Sequence, residues 1–225
     1  MTTTTAANTV HEVRHLSDTA FVVRCERGKM LFQPGQYVTV GLAGDLHVRE
    51  YSIYSSPDDP YLEILVKEVE GGLVSRKLRA LKPGDSLQVE GPFGYFVLDD
   101  VPSDAPVLMI ATGTGISPFH SMLRAYPHID AVLLHGVRTS AENYDWQEYS
   151  NRKLIRCVSR APESSSNHNS IDYHGRVTDY LRAHPRTDST THCFLCGNCD
   201  MIYEAFDILQ EQGIPSRQLF AEVYF

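Results

Sequence analysis

Hydrophobic and polar positions along the chain change rhythm once. Over roughly the first hundred residues the apolar positions come in short β-branched runs. "HEVRHL" and "AFVVRCER" flank an "SDT" turn, and "GQYVTVGLA", "LHVREYSIYSS", "YLEILVKEVE" and "SLQVEGPFG" follow, separated by Gly, Asp and Pro. One helical stretch, "LVSRKLRAL", interrupts them and is stopped by "KPGD". Six strands at this spacing with one short helix predict a small antiparallel β-barrel.

The rhythm changes at "DDVPSDAP", a Pro/Asp stretch that reads as a linker. Beyond it, continuous apolar strands alternate with amphipathic helices. "PVLMIAT" precedes "SPFHSMLRAY", "DAVLLHGVR" precedes "NYDWQEYSN", and "KLIRCVS" is followed after a polar loop by "GRVTDYLRAH". "HCFLC" precedes "CDMIYEAFDILQEQG", and the chain ends on "QLFAEVYF". This pattern predicts a parallel sheet covered on both faces, whose ligands bind beyond the carboxyl ends of its strands. The expected organisation is a barrel domain over 1–102, with 1–8 disordered, and an α/β domain over 103–225. "APESSSNHNS" reads as a flexible loop, and no repeat is present.

Composition narrows the classes. The 225 residues carry a net charge of −8, which argues against nucleic acid as a partner. No apolar run is long enough to span a membrane, and "MTTTTAANTV" lacks the basic and apolar regions of a secretory signal. Five cysteines, three of them bunched, do not form a disulfide framework, so an intracellular, cytoplasmic protein is expected.

Three stretches carry candidate chemistry. "MIATGTGISPF" runs from a strand into a helix, and Gly113 and Gly115 suit either close approach to a phosphate or an ordinary βα turn. "REYSIYS" sets a cation, an aromatic and a hydroxyl on one strand. "EGGLVSRKL" leads from Gly71 and Gly72 into a helix whose first turn carries Ser75, a second candidate anion site. In "THCFLCGNCD", strand alternation sends Cys193 and Cys196 to opposite faces. That disfavours a metal cluster, which needs converging sulfurs. The histidines lack metal-ligand spacing, and no metal is expected.

"REYSIYS", "EGGLVSRKLRALKPGDSLQVEGPFG", "ATGTGISPF", "CGN" after a strand and a terminal "AEVYF" occur in this order. With them the chain resembles the ferredoxin–NADP reductase family, its bacterial members above all, over nearly its whole length after about residue 9. The resemblance implies an FAD-binding barrel followed by an NADP-binding domain. Arg49 would pair with the FAD pyrophosphate, Tyr51 would stack on the isoalloxazine, and Ser52 would sit near flavin N5. Backbone groups of Val66 and Lys67 would line the flavin edge, and Gly72, Leu73, Val74 and Ser75 would cap the pyrophosphate. In the second domain Thr112, Gly113, Thr114 and Gly115 would cradle the NADP pyrophosphate, and Ser159, Arg160 and Arg176 would read the 2′-phosphate. Arginine rather than acid at these positions argues for NADPH over NADH.

Cys196 and Glu222 would lie at the nicotinamide, and Tyr224 or Phe225 would cover the flavin. The catalytic set is therefore Ser52, Cys196 and Glu222, with a reversible Cys196–Cys199 disulfide as a further expectation. The implied activity exchanges hydride with NADP(H) and single electrons with ferredoxin or flavodoxin, in a monomer. Lys67, Arg76, Lys77, Arg79 and Lys82 offer a docking patch for such acidic partners. The alternatives are an NADH-linked reductase component serving an oxygenase or a cytochrome, a non-catalytic electron-transfer subunit, and a nucleotide-sensing regulator.

Overall fold

The computed structural model describes residues 8–160, 172–185 and 188–224. The Ser-rich stretch 161–170, nearly all of the N-terminal segment read as disordered, and Phe225 lie outside the described residues. Asn8, the last residue of that segment, already begins the first strand. The described chain forms two compact units, one of 8–98 with 117–126 and one of 99–116 with 127–224.

The first unit is built on β1 (Asn8–His15), β2 (Ala20–Glu26), β3 (Tyr37–Leu42), β4 (Arg49–Ser52), β5 (Tyr61–Lys67) and β6 (Ser86–Phe93). All neighbouring pairs are antiparallel, in the order β4-β3-β6-β1-β2-β5. Just past β4, Ile53 bridges Ile64 on β5, and Tyr54 N–H donates to the Glu63 carbonyl at 2.8 Å. That contact brings the two outer strands together and closes the expected barrel, which removes the exposed edges. Inward residues Val10, Phe21, Val23, Val38, Val40, Leu62, Ile64 and Val66 form its core, and the short helix α1 (Leu73–Arg79) caps it with Val74 and Leu78.

A second helix, α2 (Ser117–Ala125), belongs to this unit although it follows the first strand of the α/β region. Its attachments are specific. Ser117 and Ser121, one turn apart, donate to the carbonyls of Ser52 at 2.8 Å and Ser55 at 2.7 Å. Arg124 grips Asp59 with two bonds of 2.7 and 2.9 Å, and His120 stacks on Tyr54 at 3.8 Å. Gly35 makes room for this packing, because a Cβ there would overlap the Phe96 carbonyl and Met122.

The second unit is a six-stranded parallel sheet of β7 (Val107–Thr112), β8 (Ala131–Val137), β9 (Lys153–Val158), β10 (Asp172–His174), β11 (His192–Asn198) and β12 (Leu219–Tyr224). The order β10-β9-β8-β7-β11-β12 reverses direction between β7 and β11. Two helices of this unit, α3 (Val177–Ala183) and α4 (Cys199–Glu211), pack against one another and share an apolar core with the sheet. Two elements differ from expectation. "NYDWQEYSN" yields only a 3₁₀ turn over Trp146–Tyr149, because Asp145 adopts a left-handed conformation and the indole turns inward to bond a buried histidine. β10 has three residues, too few for alternation to register in the sequence.

Candidate functional site

Arg49, Tyr51 and Ser52 lie together on β4. Register sets Arg49 and Tyr51 opposite Val40 and Val38, and Ser52 opposite Tyr37 on the other face. The Arg49 side chain is exposed and donates to the Val48 carbonyl at 2.8 Å, leaving a guanidinium fork at the strand's open end. Tyr51 packs its ring on the barrel core, and burial pushes its hydroxyl up to about 12. Ser52 is buried, with its carbonyl held by Ser117.

α1 packs against β3, the strand that also carries β4, so the second motif reaches the same side of the barrel. Gly71 has φ +75°, a left-handed turn open to glycine. Gly72 is pressed between the Val69 carbonyl and the Ser75 hydroxyl, which accepts from Val69 N–H at 3.2 Å. That bond uses an oxygen lone pair, and the hydroxyl proton is the donor an anion requires. Leu73 is exposed and Val74 buried, and Val66 and Lys67 end β5 with Val66 in the core.

In the second unit the glycine turn and the cysteine turn meet at the point where strand order reverses. Thr112 ends β7 and Asn198 ends β11, and the Thr112 hydroxyl accepts from Asn198 N–H at 3.0 Å. A Cβ on Gly197 would sit 2.3 Å from Thr112 Oγ1, and one on Gly115 would sit 2.3 Å from the Cys196 carbonyl. Gly115 therefore serves the close approach of the two turns. Gly113, at φ +54°, has only the Tyr144 hydroxyl at 3.8 Å near its missing Cβ. Asn198 caps α4 by accepting from Asp200 and Met201 N–H.

Cys193 and Cys196 are both fully buried, Cys193 within the core beneath α4. Cys196 lies opposite Glu222 on β12 and is hydrogen-bonded with Tyr224. Burial first, then the Glu222 charge, pushes the Cys196 thiol well up, so it is a neutral thiol at ordinary pH. All five cysteines are free thiols, with Cys199 partly exposed at the start of α4. Ser159 and Arg160 follow β9 and bond the carbonyls of Val137 and Arg138, and Arg176 precedes α3. Arg160 and Arg176 are exposed beyond the carboxyl ends of neighbouring strands.

Residues 6–98 match the oxidoreductase FAD-binding domain family and residues 109–206 the oxidoreductase NAD-binding domain family. The chain is 33% identical over 216 residues to flavodoxin/ferredoxin–NADP reductase of Escherichia coli, covering 86% of this chain and 85% of that protein. The chain belongs to the ferredoxin–NADP reductase family. It is also 28% identical to the toluate 1,2-dioxygenase electron transfer component of Pseudomonas putida, covering 96% of this chain and 66% of that one. In fold it matches the crystal structure of a ferredoxin–NADP reductase from Neisseria gonorrhoeae with bound FAD and NADP, with TM-score 0.85, 20% identity and 98% of each chain covered.

As a ferredoxin–NADP reductase family member, the chain is a flavoprotein oxidoreductase with a donor set that fits both cofactors. Arg49, the Ser75 hydroxyl and the α1 backbone suit a pyrophosphate, and the Tyr51 ring suits a flat heterocycle. Sequence reasoning missed three groups. Arg138 follows β8 as Arg160 follows β9, a signal visible in "HGVR". Buried His135 and half-buried Trp146 form a hydrogen-bonded pair behind the glycine turn, and only tertiary contact reveals it. Of the cations expected to form a docking patch, three are paired: Lys77 with Asp45, and Arg76 and Arg79 both with Glu68. These carboxylates, distant in sequence or on the preceding loop, neutralise the helix's cations locally.

Proposed function

We propose that this chain is an FAD-dependent reductase that exchanges hydride with NADP(H) and single electrons with ferredoxin or flavodoxin. The observation that carries the proposal is the junction of the Thr112–Gly115 turn with the Cys196–Asn198 turn at the reversal point of a parallel sheet, where dinucleotides bind in such folds. Bound FAD supplies the conversion between two-electron and one-electron transfer. The protein's residues bind and orient.

Arg49 and the Gly72–Ser75 segment hold the FAD pyrophosphate. Tyr51 stacks on the ring, Ser52 holds a hydroxyl at N5, and the Val66 and Lys67 backbone lines its edge. Thr112, Gly113, Thr114 and Gly115 hold the NADP pyrophosphate. Ser159, Arg160 and Arg176, joined by Arg138, attract the 2′-phosphate, which favours NADPH over NADH. Cys196 and Glu222 flank the nicotinamide, the thiol as a small neutral wall. Tyr224 or Phe225 is the aromatic lid that gives way to it. The protein acts as a monomer, which gel filtration checks.

Purified protein should be yellow, and NADPH should bleach the flavin under anaerobic conditions. Cytochrome c reduction by NADPH should then rise on adding ferredoxin. Protein that neither carries nor takes up FAD would sink the proposal. The similarity to the dioxygenase electron transfer component favours a second reading, an NADH-linked reductase component. A higher kcat/KM with NADH than with NADPH would select it.

A further inference from the structure

His135 is fully buried on β8, in register with Ala111 of β7 and Arg156 of β9. The indole Nε1–H of Trp146 donates to its Nδ1 at 3.0 Å, and its Nε2 lies 2.8 Å from the Gly113 carbonyl. These partners assign the proton. An indole nitrogen only donates, so Nδ1 is the acceptor, and a carbonyl only accepts, so Nε2 carries the hydrogen. A doubly protonated ring would set two N–H groups against each other at Trp146. Burial, opposed by the Gly113 bond and Glu142, lowers the imidazole to about 4, in keeping with a neutral ring.

The surroundings leave this arrangement little freedom. Tyr144 meets the imidazole edge-on at 4.9 Å and donates its hydroxyl to Glu142 at 3.1 Å. Arg156 covers the Trp146 ring at 4.6 Å and pairs with Asp172 at 2.5 Å. The imidazole is thus held from two sides, with its Nε2–H aimed at one peptide of the glycine turn.

That peptide matters because a trans peptide points its C=O and N–H in opposite directions. With the Gly113 carbonyl turned to His135, Thr114 N–H points away from it. Gly113 is in the left-handed region, where glycine reorients at little cost. Turned over, the same peptide would present a carbonyl oxygen where an anion needs a donor. We propose that His135 is a positioning residue that fixes the Gly113–Thr114 peptide so that its N–H serves the pyrophosphate of the pyridine nucleotide. The inference rests on the reading of Thr112–Gly115 as the pyrophosphate cradle.

The test compares His135→Leu and His135→Gln with the FAD-loaded wild type. NADP+ binding is titrated by flavin difference spectra, and steady-state rates are taken with NADPH. Leucine removes the donor; glutamine restores an N–H for Gly113 and an oxygen for Trp146. His135→Leu should raise the NADP+ Kd and the NADPH KM about tenfold or more, with kcat within about twofold, and His135→Gln should recover most of the loss. Emission of Trp146, the only tryptophan of the chain, should shift in His135→Leu and return in His135→Gln. A His135→Leu variant that folds and binds NADP+ as the wild type does would overturn the role of His135 alone. A wild-type protein that binds FAD but not NADP+ would overturn the cradle, and this inference with it. Nitrogen-15 NMR of the wild-type holoprotein tests the geometry without any variant. Protonation at Nε2 alone at pH 7 supports it, and an Nδ1–H or doubly protonated ring overturns it.

Discussion

The two units assemble their candidate sites in opposite ways. In the barrel the chemistry comes from neighbours in sequence: Arg49, Tyr51 and Ser52 occupy one strand, and its alternation distributes them. In the parallel sheet the pieces are distant, for Thr112 and Asn198 meet across 86 residues of chain. The first rests on side chains of a single strand, with Arg49 exposed, Tyr51 packed on the barrel core and Ser52 buried. The second rests on backbone fitted to backbone, with Gly115 and Gly197 leaving no space for a Cβ. A site of the first kind should lose function residue by residue, and one of the second kind should fail as a unit.

The largest expected effect breaks that unit. Gly197→Ala places a Cβ 2.3 Å from Thr112 Oγ1 at a φ of +134°, so the β7 and β11 turns must separate. Stability should fall by about 3 kcal/mol or more, with NADP+ binding lost and FAD content retained in whatever folds. Urea denaturation and flavin spectra measure both. If Gly197→Ala keeps wild-type stability, the claim of a jointly built second site fails.

The pH dependence of stability sharpens the same contrast. His135 has its folded pKa depressed to about 4 from 6.5, so between these values the unfolded chain binds more protons. Its contribution is complete above about pH 6.5 and is lost as pH falls towards 4. Between pH 7 and pH 5 the loss should be about 2 kcal/mol. The shift in denaturation midpoint should be smaller in His135→Leu than in the wild type.

Side chains around the second site should act singly. Arg160→Ala and Arg176→Ala should each raise the NADPH KM by about tenfold and leave the NADH KM nearly unchanged. Equal effects on both nucleotides would remove these arginines from 2′-phosphate recognition. The smallest effect belongs to the barrel. Ser117→Ala deletes the bond to the Ser52 carbonyl and should cost about 1–2 kcal/mol, with NADP+ affinity unchanged. A weakened NADP+ affinity in Ser117→Ala would contradict the independence of the barrel contacts.

These contrasts explain what was legible beforehand. The barrel strands were readable because their apolar positions come in short runs bounded by turn residues. The "REYS" stretch was readable as a unit because its residues are neighbours on one strand. Glycines 113 and 115 stood out, but their different duties did not: one takes a left-handed turn, and the other yields space to Cys196. α2 looked like a helix of the α/β region from its place after β7, and only its tertiary contacts, Ser52, Ser55, Tyr54 and Asp59 among them, attach it to the barrel unit. The expected helix at 143–151 failed because the Trp146 hydrogen bond to buried His135 outweighs local helical pattern.

The sequence by itself determined the succession of an antiparallel barrel and a parallel sheet, and which short motifs are candidates for the chemistry. Both follow from local physics, the periodicity of apolar residues and the conformational freedom of glycine. The tertiary structure alone decided which motifs meet. Strand order joins Thr112 to Asn198, Glu142 and Tyr144 enclose His135, and Asp45 and Glu68 neutralise the cations of α1. Such contacts depend on where distant backbone arrives, and no local pattern encodes that.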